Sequence, residues 1–209
     1  MNTLDATPRT GLRGAWLAAH APVRGVPRWA KMAAYAIPFI VLPSGVWRIA
    51  TVLFHIGGDD QRHGVGDIPS WLPGQAYVIF LSVLSEALAF TAVGLIAAWG
   101  EVFPRWIPGL GGRRVPLPAA VAPAALGAAV LTVLWTASAL TIASGATLQG
   151  DPLPDDFPTL TLHGWRFAFF TVSYAPLLLW GPLLALLTLA YRRRRRTPSP
   201  HAAGPGAAA

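Results

Sequence analysis

The chain has 209 residues, a formal net charge of +7, 54% hydrophobic and 12% charged residues, and no cysteine. The missing cysteine excludes disulfides, thiolate nucleophiles and thiolate-bound metals. The positive charge does not point to nucleic acid, because the arginines flank apolar stretches or sit in one C-terminal run instead of forming a basic–aromatic face.

The first 28 residues carry Arg9, Arg13, Arg24 and Arg28 but no continuous apolar core, so they read as a cytoplasmic arm without a cleavable signal. Leu12, Trp16 and Ala19, beside Arg13, suit a short interfacial turn at most, since Gly11, Gly14 and Pro22 oppose a stable helix. Four apolar stretches follow, at 30–54, 75–99, 117–144 and 165–191. A helix of roughly 25 residues is about 37 Å long, enough to cross a hydrocarbon core of about 30 Å with some tilt. The ten-residue alternating strands of a membrane barrel are absent. The fold class is therefore all-α: a polytopic membrane protein with four transmembrane helices in a bundle.

The loops set the orientation. The arm with Lys31, the loop carrying Arg105, Arg113 and Arg114, and the run Arg192, Arg193, Arg194, Arg195 and Arg196 hold thirteen of the sixteen basic residues. The other two loops hold Asp59, Asp60, Asp67, Asp151, Asp155 and Asp156, with Arg62 and Arg166 as their cations. Positive charge is retained on the cytoplasmic side, so both termini are expected there, in a bacterial plasma membrane. The same arginines at 105, 113, 114 and 192–196 suit anionic headgroups. Residues 192–209 read as a basic and disordered tail.

Trp29, Trp71, Trp99, Trp106 and Trp165 fall at span ends, where indole prefers the headgroup layer, whereas Trp135 and Trp180 lie deeper and are expected to pack between helices. Prolines 38, 43, 123, 176 and 182 fall within spans, and each removes a backbone donor. Ala120, Ala124 and Ala128, with Gly127 beside them, give the third span a face that permits close backbone approach.

Glu86 is the chemical feature of the spans. It lies near the middle of the second, where a carboxylate without a partner is strongly disfavoured. Two readings follow: a site that binds a proton or cation, or a protonated or ion-paired residue that fastens helices. Arg48 is the candidate partner. Counted from the span ends it lies roughly 10 Å deep against roughly 16 Å for Glu86, a gap an arginine side chain spans. The rival is that Arg48 extends to the headgroups and leaves Glu86 protonated. Ser82, Ser85 and Tyr174 complete the candidate ligand or proton site, Tyr174 only if the packing brings it there. His55, His63 and His163 accompany the acidic loops without a metal-binding spacing, and neither a metal nor a cofactor is assigned. No nucleophile elbow, phosphate loop or paired carboxylates within a span are present, so no catalytic residue is assigned.

The stretches WGEVFPRWIPGLGGRRVP, LPSGVWRIA and LHGWRF resemble those of uncharacterised four-span membrane proteins of actinobacteria, over residues 29–191. The resemblance implies a plasma-membrane location and carries no activity. The function expected is that of a non-enzymatic, membrane-embedded accessory or interaction protein with a membrane-protein or homo-oligomeric partner. The alternative is a small transporter or channel subunit coupled to a proton or cation through Glu86, and a lipid-modifying enzyme comes third.

Overall fold

The computed structural model describes residues 23, 25–54, 73–103, 109, 111–155 and 157–196. They form α1 (Arg28–Leu53), α2 (Gly74–Gly94), α3 (Leu117–Ala143), α4 (Pro158–Thr161), α5 (Trp165–Tyr174) and α6 (Trp180–Arg196). A 3-10 turn, Ala98–Gly100, follows α2, and another, Ala175–Leu179, joins α5 to α6. Among the described residues there is no strand, only the isolated bridges Val102–Arg114 and Ala146–Pro152. Four helical units, α1, α2, α3 and the 32-residue unit Trp165–Arg196, are long and apolar enough to cross a membrane. The shortest, α2, has 21 residues and so spans about 31 Å.

The first and third spans begin and end within two residues of the expected positions. The second stops at Gly94, five residues early, because the chain turns back on itself there. Gly100 lies so close to the Gly94 carbonyl that a Cβ on it would collide, and the Trp99 ring covers the space a Cβ on Gly94 would fill. The fourth is not one continuous α-helix. Pro176 and Pro182 cannot donate to the carbonyls one turn earlier, and the backbone around Pro176, Ala175–Leu179, takes the 3-10 form. By contrast α1 continues through Pro38 and Pro43, and α3 through Pro123. The end of α3 is set locally: Gly145, at φ 77°, lets its own N–H reach the Ile142 carbonyl (3.1 Å) and that of Ala146 reach Thr141 (2.9 Å). The arginines at 192–196, expected to be disordered, continue α6 as helix.

Packing runs from α2 to α1, from α1 to the fourth span, and from the fourth span to α3. The buried seam of α1 is Ala30, Ala34, Ile37, Val41 and Ser44, a spacing of alternating fours and threes that keeps one face on its neighbour, with Gly45 buried beside Ser44. Against it α2 buries Ser82, Ala89, Ala92 and Val93. The two helices are antiparallel: Gly45 faces Ser82, while beyond the other end the Val23 N–H donates to the Ile96 carbonyl (3.0 Å). Small side chains dominate because lipid gives leucine no reason to prefer a helix over an acyl chain; close approach is what holds helices together.

The same rule governs α3 and α6. Ala128 is buried, and Ala120 and Ala124 pack against the core beside it, the small-residue face expected from sequence. Gly181 presses onto that face; a Cβ there would strike Thr132 Oγ1 and sit 2.9 Å from the Ala128 carbonyl. Trp180 is buried and Trp135 packs against the core, both between helices as expected. Gly181→Ala should therefore lower the melting temperature of the detergent-solubilised protein, with an overpacking cost of about 1–3 kcal/mol. Gly127→Ala, whose new Cβ would meet nothing nearer than Leu184 Cδ2 at 3.9 Å, should leave it unchanged. Equal shifts in differential scanning fluorimetry would contradict this packing.

Candidate functional site

Among the described residues, the polar groups that bear on function gather in three places. At the first, the basic end of α6 meets the α2–α3 loop. Tyr191 donates its hydroxyl to the Gly100 carbonyl (2.9 Å). Arg194 Nη2 donates to the Leu95 carbonyl (3.2 Å) and to Glu101 Oε1 (2.7 Å), and Arg195 Nη2 donates to the Val115 carbonyl (2.7 Å). Both guanidinium groups also lie against the Tyr191 ring, at 5.4 and 5.7 Å from its centroid. The end of α6 thus fastens the start and finish of the α2–α3 loop. That loop closes on itself through Phe103 N–H to Arg113 O (3.0 Å), Gly112 N–H to Phe103 O (2.9 Å) and Val115 N–H to Glu101 O (2.9 Å). The Arg194–Glu101 pair is partly shielded, with side-chain exposures of 16% and 22%. Among the arginines expected at headgroups, Arg194 and Arg195 are turned inward. Arg113, Arg114, Arg192, Arg193 and Arg196 are exposed, and Arg105 lies outside the described residues. The clamp escapes sequence reading, although Glu101, the lone acid of a basic loop, is its one signal.

The second place lies toward the other end of α1. Arg48 and Tyr174 come together there, close enough for the guanidinium to act electrostatically on the phenol. Arg48 Nε is buried with no hydrogen-bond partner among the described residues. Beside it Trp47 contacts Phe169 (5.4 Å) and Phe170 (6.3 Å), and Phe170 lies 4.6 Å from Tyr174. Ser44 and Ser173 are buried on the same two helices, Ser44 donating to the Val41 carbonyl (2.8 Å). The break after Tyr174 falls at this level and is covered by α1 and α3, which is how irregular backbone is tolerated at membrane depth.

Glu86 is the third, and it is apart. Among the described residues it forms no ion pair with Arg48 or hydrogen bond to any group. The reason is register. With Gly45 opposite Ser82, Glu86 is level with Val41, so Arg48 sits about seven residues, or about 10 Å, further toward the far end. Counting depths from the span ends placed the two closer than this register allows. Glu86 lies on the flank of the α1–α2 seam, one turn from buried Ser82 and from buried Ala89, and is half-buried, while Val83 and Ala87 beside it are exposed. Ser82 and Ser85 donate to their own helix, at Val78 O (2.8 Å) and Leu81 O (2.7 Å), and so have no hydrogen left to donate to Glu86. Between α3 and α5, Asp151 and Asp155 are exposed and His163 Nδ1 lies 2.9 Å from the Thr161 carbonyl. His55, His63, Asp59, Asp60, Asp67 and Asp156 lie outside the described residues.

Two outcomes follow from this layout. Tyr191→Phe combined with Arg194→Gln should release the α2–α3 loop and speed tryptic cleavage after Arg113 and Arg114 several-fold at unchanged trypsin concentration. Unchanged peptide release, followed by mass spectrometry, would show that the clamp does not hold the loop. Glu86→Gln and Arg48→Gln should shift stability additively, within about 0.5 kcal/mol, as groups that do not touch do. A clearly less than additive double variant would restore the ion pair between them.

No family model, curated protein or solved structure matches the chain, so its own residues carry the functional argument.

Proposed function

We propose that this is a multi-pass protein of a bacterial plasma membrane, with both termini cytoplasmic, acting as a non-enzymatic membrane-embedded interaction protein through the face of α2 that carries Glu86. The orientation is supported by the meeting of the start of α1 with Arg28, the α2–α3 loop and the arginines of α6 at one end, since the cytoplasmic side retains positive charge. The exposed arginines at 113, 114, 192, 193 and 196 meet anionic headgroups there.

The observation that carries the reading is Glu86 itself: a carboxyl group in mid-membrane, half-exposed, that the described fold does not use. In lipid such a group is neutral and still wants a hydrogen-bond partner. A protonated carboxyl both donates and accepts, so its natural complement is another of the same kind at the same depth. A second copy of the chain, related by a two-fold axis along the membrane normal, presents that group. Hydrogen bonds of this type add to helix association in bilayers.

The chain has no cysteine, which makes single-cysteine cross-linking clean. Ala87→Cys in native membranes should give a disulfide-linked dimer on mild oxidation, and adding Glu86→Leu should reduce its yield at least about five-fold, the loss of roughly 1 kcal/mol of hydrogen bonding. A dimer insensitive to residue 86, or none at all, would overturn the reading. Proton uptake into proteoliposomes that depends on Glu86 would instead establish the transport alternative.

A further inference from the structure

We infer that Arg48 and Tyr174 form a binding site for the anionic head of an amphiphile, a phosphate or carboxylate group, in the leaflet opposite the arginine clamp. The inference stands on the α1–α5 contact and owes nothing to Glu86 or to the face around it.

An arginine near a membrane surface ordinarily extends its whole fork into headgroup water. Arg48 is held differently. Its Nε is buried and meets no acceptor among the described residues, so part of the fork is withdrawn from solvent while its hydrogen bonds remain unmade. Tyr174 lies in the same aromatic cluster, its ring 4.6 Å from Phe170, which in turn meets Trp47 beside Arg48. It brings a further donor within electrostatic range of the guanidinium, and no acid among the described residues pairs with Arg48. Donors of this kind converging on one spot define an acceptor-rich ligand: guanidinium is a planar fork that matches carboxylate and phosphate oxygens. The depth selects among such ligands. Arg48 is five residues from the last residue of α1, Leu53, or about 7–8 Å, which is within reach of the phosphate layer for a side chain directed outward. The surroundings then select an amphiphile over a bare ion. Trp47, the neighbour of Arg48 in α1, forms an aromatic cluster with Phe169 and Phe170, and Phe169 is 47% exposed. A headgroup phosphate against Arg48 and Tyr174 leaves the chains of the same molecule lying on those rings.

The site is remote from the arginines of α6. Arg48 lies near the far end of α1 from Arg28, and the arginines of α6 cluster at the Arg28 end through the contacts of Arg194 with Leu95 and of Val23 with Ile96. The two cationic places can therefore be told apart by substitution. The purified full-length protein in neutral detergent would be melted with phosphatidylglycerol, with phosphatidylcholine, and with inorganic phosphate alone. The unaltered chain should gain at least about 3 °C from phosphatidylglycerol over phosphatidylcholine, since a ligand that binds only the native state raises its melting temperature. Arg48→Gln should remove most of that gain and Tyr174→Phe part of it, while Arg192→Gln with Arg196→Gln should leave most of it in place. Reproduction of the gain by inorganic phosphate alone would overturn the amphiphile as ligand and leave a free anion in its place.

A gain that survives Arg48→Gln, or no preference for the anionic lipid in the unaltered chain, would overturn the inference. If Arg48→Gln fails to purify, photoreactive phosphatidylglycerol on the unaltered protein decides the matter. Adducts on α1 or α5 peptides near Arg48 support the site, and adducts confined to the α2–α3 loop and the end of α6 refute it.

Discussion

Helices in hydrocarbon gain nothing by hiding leucine from one another, because lipid is as apolar as leucine. What remains is contact at short range, and the described helices meet where side chains are small enough to allow it. Gly45 against Ser82 and Gly181 against Ala128 and Thr132 are the points of approach between spans, and Gly94 against Gly100 turns the chain after α2 by the same means. The long apolar side chains are displaced outward: Phe39, Met32, Leu126 and Val133 are all exposed, where they meet acyl chains. An inside-out distribution of this sort would be a defect in water. In a bilayer it is the consequence of a solvent that already satisfies every apolar group.

The same solvent dictates where polarity is allowed. Serine and threonine within the spans donate to their own helix: Thr132 to the Ala128 carbonyl (2.7 Å) and Thr188 to that of Leu184 (2.7 Å). Longer polar side chains cannot do this, and the protein resolves them in two ways. Tyr191, Arg194 and Arg195 find carbonyls at the membrane edge, in a loop whose backbone groups have left the helices. Arg48 and Glu86 do not find partners among the described residues, and they are two of the positions at which the fold carries the cost of a polar group without using it. An intramembrane arginine or acid costs on the order of 2.5–3.5 kcal/mol on insertion scales, which is why each points outside the fold for its explanation.

Much of the architecture is legible in sequence, because insertion physics is local. Run length alone gives four spans, and the first and third match the structure to within two residues. The small-residue face at Ala120, Ala124 and Ala128 is readable for the same reason: spacing along a helix is written in the chain. Helix ends set by return contacts are less so. Nothing in the apolar run to Trp99 announces that Gly100 will pack on Gly94 and end α2 early. Relations between helices are the least legible. The distance between Glu86 and Arg48 depends on the register of α1 against α2, and the union of Arg48 with Tyr174 depends on which helix lies beside α1. Neither is encoded in any window of sequence. The arginine run illustrates the limit: as a string it is a topology signal, and only tertiary contact shows two of its members holding a loop.

The account rests on four crossings with the arginine-rich end in the cytoplasm, and accessibility tests it most directly. Single cysteines replacing Thr10, Gly111, Gln149 and Ser199 in the naturally cysteine-free chain would be treated with a membrane-impermeant maleimide on intact cells, then after permeabilisation. The account predicts labelling at position 149 alone in intact cells, with the other three reacting only once the membrane is opened. Labelling of position 10, 111 or 199 from outside, or protection of position 149, would contradict it.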